Sequence, residues 1–220
     1  MEDKPHIEIR GIKAKLYDLF LFIGTLGFYN KLIKTVISDL KLLPGEKILD
    51  MGTGTGSNAL RMLKKINGKG EIVGIEIGKE MKKQFEKKAR KNRGMKLVDM
   101  RIEEPLPFEN EFTRVFISFV IHGFPQEKRV SILKNGFKAL KPGGKIHIFD
   151  WGEFNLSNCG LFLKFFFNHL ECPEAKDFIA RDFKKVLLEI GFENLEEKLY
   201  AKQKIRLLTG IKPANSVYPT

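Results

Sequence analysis

Cysteine is almost missing from this chain: Cys159 and Cys172 are the only two in 220 residues. They form no CxxC pair, and no Cys/His spacing of the zinc-wrapping kind occurs, so residue spacing supports neither a metal site nor a redox dithiol. Free thiols in a reducing, cytoplasmic setting are the expectation. Long apolar runs are missing too. The most apolar early stretch, residues 19–28, is broken by Gly24 and Gly27 and is too short to cross a bilayer. The start, Met-Glu-Asp-Lys-Pro-His, has no basic segment leading into an apolar one, so no secretory signal is expected. Glutamine is scarce, at three residues, beside abundant Lys and Glu, a usage typical of thermophile surfaces.

What is present begins with charge. Lys and Arg number 39 against 27 acids, a formal net charge of +12. Such an excess draws phosphates and anionic membranes from within a Debye length. A solvated thermophilic surface accounts for it as well and is the favoured reading, with nucleic acid and a peripheral membrane contact as alternatives. The length and a hydrophobic content of 43% suit one globular domain over residues 1–220.

The chain is organised around Ile-Leu-Asp-Met-Gly-Thr-Gly-Thr-Gly, residues 48–56. A short apolar strand carries an acid, Asp50, at its end, and Gly52, Gly54 and Gly56 follow. Glycines that dense do not belong inside a helix or strand. They mark a tight turn at which a ligand approaches bare backbone. Residues 57–66 then carry Ala59, Leu60, Leu63 and Ile66 at helical spacing, so strand, turn and helix make the first half of a βαβ unit. A dinucleotide fingerprint needs glycine or alanine at position 57, which is Ser57, and no Lys-Ser or Lys-Thr closes the turn as in a P-loop.

Periodicity predicts helices over 12–22 and 28–42 ahead of the sheet, with 1–11 as a loose terminus. Further strands are expected over 71–77, 95–99, 112–120 and 145–151, helices over 79–93, 127–140 and 177–190, and a hairpin from 192–200 and 202–208 before a tail from 213. The basic helix over 79–93 reads as amphipathic with a solvated charged face. Glu76 falls at the tip of the second strand, 20 residues past Gly56, where an acid can accept hydrogen bonds from a ribose diol.

Asp50-Met-Gly-Thr-Gly-Thr-Gly56, Glu76, Asp99 ahead of Glu103-Glu104-Pro-Leu-Pro-Phe108, and Leu140-Lys-Pro-Gly-Gly144 arrive in an order that resembles the class I S-adenosylmethionine-dependent methyltransferases, over residues 44–151. The ubiquinone/menaquinone-biosynthesis group is the subgroup it looks most like. The resemblance implies an α/β, Rossmann-like fold: a seven-stranded, mostly parallel sheet of order 3-2-1-4-5-7-6, the last strand antiparallel, with helices on both faces. It divides the chain into a helical extension over 1–43, a cofactor core over 44–151, a substrate lid over 152–190 and a terminal hairpin over 191–210.

The implied cofactor is S-adenosylmethionine. Asp50, Gly52, Thr53, Gly54 and Gly56 would form its turn, Glu76 would take the ribose, Asp99 the adenine amino group and Met100 the ring, with Ile77 and Phe119 completing the cofactor-binding set. Tyr17, Phe20, Phe28 and Tyr29 are candidates to line the pocket. Two features depart from the family pattern: the Asp99 stretch is two residues longer before its Leu, and Thr113 stands where the family has Asp. His122, in Ile-His-Gly-Phe, resembles a segment at the cofactor's methionine end and is the candidate general base. Trp151 and His169 are further candidates to touch the acceptor.

A sulfonium methyl is already activated, so the enzyme chiefly aligns reactants and excludes water. Neither the Asn- or Asp-Pro-Pro-Tyr of base-amino methyltransferases nor the Pro-Cys of cytosine C5 enzymes occurs; Cys172-Pro173 has the reverse order. The subgroup it resembles has lipophilic acceptors, so with the phenylalanine-rich insert over 161–167 and the apolar amino-terminal helix the resemblance implies a small lipophilic acceptor, quinol-like or lipid-like. An RNA or protein methyltransferase and a non-catalytic binding module of the same fold are the alternatives, and the assembly is read as monomer or homodimer.

Overall fold

The computed structural model describes residues 28–215. The expected helix over 12–22 with Tyr17 and Phe20, the segment 1–11 and residues 216–220 lie outside them, as does the side chain of Phe28. Among the described residues, β1 (Lys47–Met51), β2 (Glu71–Ile75), β3 (Met95–Val98), β4 (Phe112–Ser118), β5 (Leu140–Trp151), β6 (Glu193–Tyr200) and β7 (Ile205–Ile211) form one sheet of order β3-β2-β1-β4-β5-β7-β6. The first five strands pair in parallel, and β7 runs antiparallel to both β5 and β6. This is the fold class that the resemblance implied.

Alternating side chains split the core across the sheet. Ile48, Ile72, Phe116 and Phe149 meet Ile33 and Val36 of α1 (Phe28–Asp39), Ala59 and Met62 of α2 (Ser57–Lys65) and Phe85 of α3 (Lys79–Ala89). On the other face Leu49, Met51, Val115, Ile117, Ile146 and Ile148 meet Ile132, Leu133 and Phe137 of α4 (Gln126–Ala139). The same face receives Phe167 of α5 (Leu161–His169), Phe178 of α6 (Pro173–Ile179) and Leu187 of α7 (Phe183–Ile190). No helix among the described residues is long and apolar enough to cross a membrane.

Several elements differ from their sequence expectations, each for a local reason. β4 stops at Ser118 because Phe119 turns left-handed, with φ of 50°. β5 reaches back to Leu140: Leu140 pairs with Phe112 and Lys145 with Arg114, so the expected Pro-Gly-Gly turn survives as a bulge opposite Thr113. The helix expected over 177–190 is two helices, because the Asp182 carboxylate accepts the Lys185 N–H at 3.0 Å and starts α7 afresh. The helix expected to end at 42 ends at Asp39, whose carboxylate accepts from Lys198 and Tyr200 on β6, each at 2.7 Å.

β1 lies between β2 and β4, where the chain reverses its direction of travel across the sheet. A crevice forms outside the carboxyl ends of the strands at such a point, and ligands bind there.

Candidate active site

The loop after β1 is held before any ligand arrives. The Gly52 and Thr53 amides both donate to the Ile75 carbonyl at 3.0 Å, tying the turn to β2. A Cβ on Gly52 would come within 2.7 Å of the Val120 side chain, whereas a Cβ on Gly54 would meet nothing within 4 Å. Gly54 also has φ of 56°, so the backbone there is both left-handed and open on its outer side. Asp50 is buried beneath, its Oδ2 accepting the Thr53 hydroxyl at 2.6 Å. Burial pushes its carboxyl up to about 7; the Thr53 hydroxyl opposes this and the Glu76 charge adds to it.

Glu76 leaves β2 at its tip and turns over the same loop. Its Oε2 accepts the Gly54 N–H at 3.0 Å, and its Oε1 accepts those of Ile77 and Gly78 at 3.0 and 2.7 Å. Ile77 is thus engaged through its backbone. Asp99 lies beyond the end of β3, exposed, and is ion-paired with Lys82 of α3. Met100 packs partly buried against the sheet core. Phe119 sits at the end of β4 among rings: Phe149 at 5.0 Å, Trp151 at 5.8 Å, Tyr29 at 6.3 Å and His122 at 6.4 Å between centroids.

Beyond Phe119, a single 3-10 turn (Ile121–Gly123) presents His122. Its Nδ1 lies 2.7 Å from Asp150 Oδ1, and its Nε2 lies 3.6 Å from Glu171 Oε1. Burial alone would strip its proton, but the Asp150 and Glu171 charges outweigh burial and push the imidazole up to about 10. Burial also works against the Glu171 charge, yet the His122 contact holds that carboxyl below its usual range. Cys172 follows, its thiol pushed up to about 12 by burial and by the Glu171 charge. At neutral pH the imidazole therefore carries its proton and presents a positive charge, whereas a general base would need it free.

α6 is fastened to this turn by Arg129 of α4, which is fully buried. Its guanidinium donates to the His122 carbonyl at 3.2 Å, the Glu174 carbonyl at 2.7 Å and the Asp177 carboxylate at 2.6 Å. Trp151 lies against Phe166 and Phe167 of α5, with centroids 5.9 and 5.1 Å away, and donates its Nε1–H to Glu171 Oε2 at 3.1 Å. His169 stays on the exposed side of α5, its ring 4.7 Å from Phe165.

The structure therefore brings together Asp50, the glycine turn, Glu76, Phe119 and, farther along the strand ends, His122. Asp99 is turned toward α3 and His169 is outside. Asp150, Glu171 and Arg129 were not singled out from the sequence. Asp150 alone left a signal there, an acid near the carboxyl end of β5 just as Asp50 is at β1.

Residues 48–144 match the family model described as a methyltransferase domain. The chain is 30% identical over 221 residues to the demethylmenaquinone methyltransferase of Staphylococcus carnosus, covering 90% of this chain and 89% of that protein. It is 34% identical over 140 residues to the ubiquinone/menaquinone biosynthesis C-methyltransferase of Wigglesworthia glossinidia brevipalpis, covering 62% of this chain. The chain spans about half the length of some relatives: 55% of the Wigglesworthia protein and 58% of a demethylmenaquinone methyltransferase of Lactobacillus johnsonii. Among solved structures, a SAM dependent methyltransferase from Aquifex aeolicus superposes with a TM-score of 0.63 over 82% of this chain and 89% of that one, at 18% identity, a likeness of fold.

Proposed function

Because the chain belongs to the class I S-adenosylmethionine-dependent methyltransferases, near the ubiquinone/menaquinone-biosynthesis group, we propose that it methylates a small, lipophilic, quinol-like acceptor. The residues present fit the family's cofactor. Gly54 leaves open the space that a side chain would fill, and Asp50 and Glu76 set two carboxyl groups beside that opening. The amino end of α2, which has no side-chain cap, adds a positive dipole end that suits a carboxylate. When bound, the cofactor supplies a methyl group already activated on a cationic sulfur.

The chain's own part is to bind, align and keep water out. Glu76, fixed by three backbone amides, is set to accept hydrogen bonds from ribose hydroxyls. Asp50, once ionised, offers a negative charge to a positively charged ligand. The observation that supports the acceptor reading is the run of touching rings from Tyr29 through Phe119 and Trp151 to Phe166 and Phe167, which carries apolar surface from the end of β4 to α5. Beside these rings the His122 imidazolium is the polar anchor. A positive charge beside an acceptor hydroxyl favours the oxyanion left when the hydroxyl proton passes to solvent; in a quinol the negative charge spreads onto the ring carbon that takes the methyl, and that carbon's own hydrogen then leaves to solvent as a proton.

The experiment incubates the purified chain with methyl-labelled S-adenosylmethionine and, separately, a reduced short-prenyl naphthoquinol, a reduced benzoquinol, bulk RNA and bulk protein. Label recovered in a quinone one methyl heavier is the expected result. Label in RNA or protein alone overturns the acceptor reading, and failure of the chain to bind the cofactor by calorimetry overturns the reading as a whole.

A further inference from the structure

The cluster around His122 contains three side chains of the types that hold divalent metals. A ring nitrogen of His122, a Glu171 carboxylate oxygen and Cys172 Sγ all lie within 4.8 Å of one another, and Nε2 is the nitrogen 3.6 Å from Glu171 Oε1. The histidine comes from the turn after β4 and the other two from the link between α5 and α6, so no metal-binding spacing exists in either stretch. We propose that His122, Glu171 and Cys172 bind a zinc-class divalent cation, with Asp150 as the partner that orients the histidine.

The geometry supports this at the nitrogen and oxygen donors. Asp150 engages Nδ1 of His122 at 2.7 Å and is itself fully buried, which leaves Nε2 as the free coordinating nitrogen. A carboxylate on the far ring nitrogen is the usual support of a metal-bound histidine. Glu171 is fixed in advance, Oε2 by the Trp151 indole at 3.1 Å and Oε1 by the Cys172 amide at 3.0 Å. Its Oε1 stops 3.6 Å from Nε2, too far for a good hydrogen bond. Bonds of about 2.0–2.1 Å around a tetrahedral zinc separate neighbouring N and O ligands by about 3.4 Å, close to this gap.

The donor set selects the metal. One nitrogen, one oxygen and one sulfur suit zinc, whereas magnesium and calcium prefer oxygen throughout. Three protein ligands leave a fourth position open, as in metal sites that also take water or a substrate oxygen. On binding, the Nε2 proton and the thiol proton pass to solvent, and the cation keeps positive charge where the imidazolium had placed it. Glu171, Asp150 and the Cys172 thiolate then supply three negative charges, with the Arg129 guanidinium alongside at the His122 carbonyl.

The test uses the full chain, stripped with a chelator and then given zinc or cobalt alone. One zinc per chain by mass spectrometry and calorimetry is expected. The cobalt form should show tetrahedral bands and a thiolate-to-cobalt charge-transfer absorption, a readout that needs no variant. Cys172→Ser should abolish that absorption, Asp150→Asn should weaken zinc binding about 10–100-fold, and Cys159→Ser should change neither. Folded wild-type chain that takes up no zinc, a cobalt spectrum without thiolate character, or Cys172→Ser binding zinc as tightly as wild type would each overturn the site. Cofactor binding by Cys172→Ser is measured in parallel, so loss of this site and loss of the methyltransferase reading are told apart.

Discussion

A carboxyl group sealed from water with one hydroxyl for support gives up its proton reluctantly, and Asp50 is held in this way at about 7. Its folded pKa lies above the unfolded value, so the ionised form gains population only as pH rises through neutrality. A cofactor bearing positive charge should therefore bind more tightly as pH rises from about 6 to 8, each bound ligand helping to drive the proton off. Calorimetry across that range should show the trend in the wild type and a weaker, flat profile in Asp50→Asn. Glu76→Ala removes the acceptor of three backbone N–H groups and the intended ribose partner. It should weaken cofactor binding about 10–100-fold, the equivalent of roughly 1.5–3 kcal/mol for hydrogen bonds to a charged group. At Gly54, φ of 56° and the open outer side make Gly54→Val strained as well as obstructive, and cofactor binding should be lost. These residues were legible in the sequence because the glycine turn and strand tips fix them locally. Arg129 and Glu171 were not, since the contacts that tie Arg129 to Glu174 and Glu171 to Trp151 span 45 and 20 residues, across packed elements.

Among elements, the docking of α6 depends on one buried cation. Arg129 reaches from α4 to the carbonyls of Ile121, His122 and Glu174 and to Asp177 of α6. Arg129→Ala would take the guanidinium from these carbonyls and from Asp177 and release α6. A loss of about 1–3 kcal/mol in denaturant unfolding is expected, with earlier proteolysis between α5 and α7. Arg181 pairs with the same carboxylate from the surface, so Arg181→Ala should cost no more than about 1 kcal/mol in the same measurement. The split between α6 and α7 was hidden for a related reason. Phe178, Ile179, Phe183 and Leu187 are all buried, so apolar positions run on through the break and period alone does not show it. The polar signal at the break was a single residue, Asp182, whose capping role depends on where the backbone turns.

At the scale of the molecule, the two-sided core confines a titratable group with no room for charge. His147 of β5 is buried, its Nδ1 2.9 Å from the Thr209 hydroxyl, and burial, together with the Arg114 and Lys145 charges, pushes it down to about 3. Below its ordinary value near 6.5 the unfolded chain takes up a proton that the folded chain refuses. Stability should therefore fall as pH falls from about 6.5 toward 3, by up to about 1.4 kcal/mol per pH unit from this group. Denaturant midpoints for wild type and His147→Gln should diverge in slope over that window and run parallel above it. The order of the sheet decides this, because β5 is buried between β4 and β7 and has no edge at which an imidazole could meet water.

The sequence by itself determined the parallel sheet, the glycine turn and the acids at the first two strand tips. Each of these is written in short-range chemistry: apolar runs of strand length, glycines where only glycine fits, an acid at the end of a run. Tertiary structure alone decided the charge state of His122, the grip of Arg129 on α6 and the meeting of His122 with Glu171 and Cys172. Those depend on burial and on distances between side chains far apart along the chain, and neither quantity exists until the elements pack.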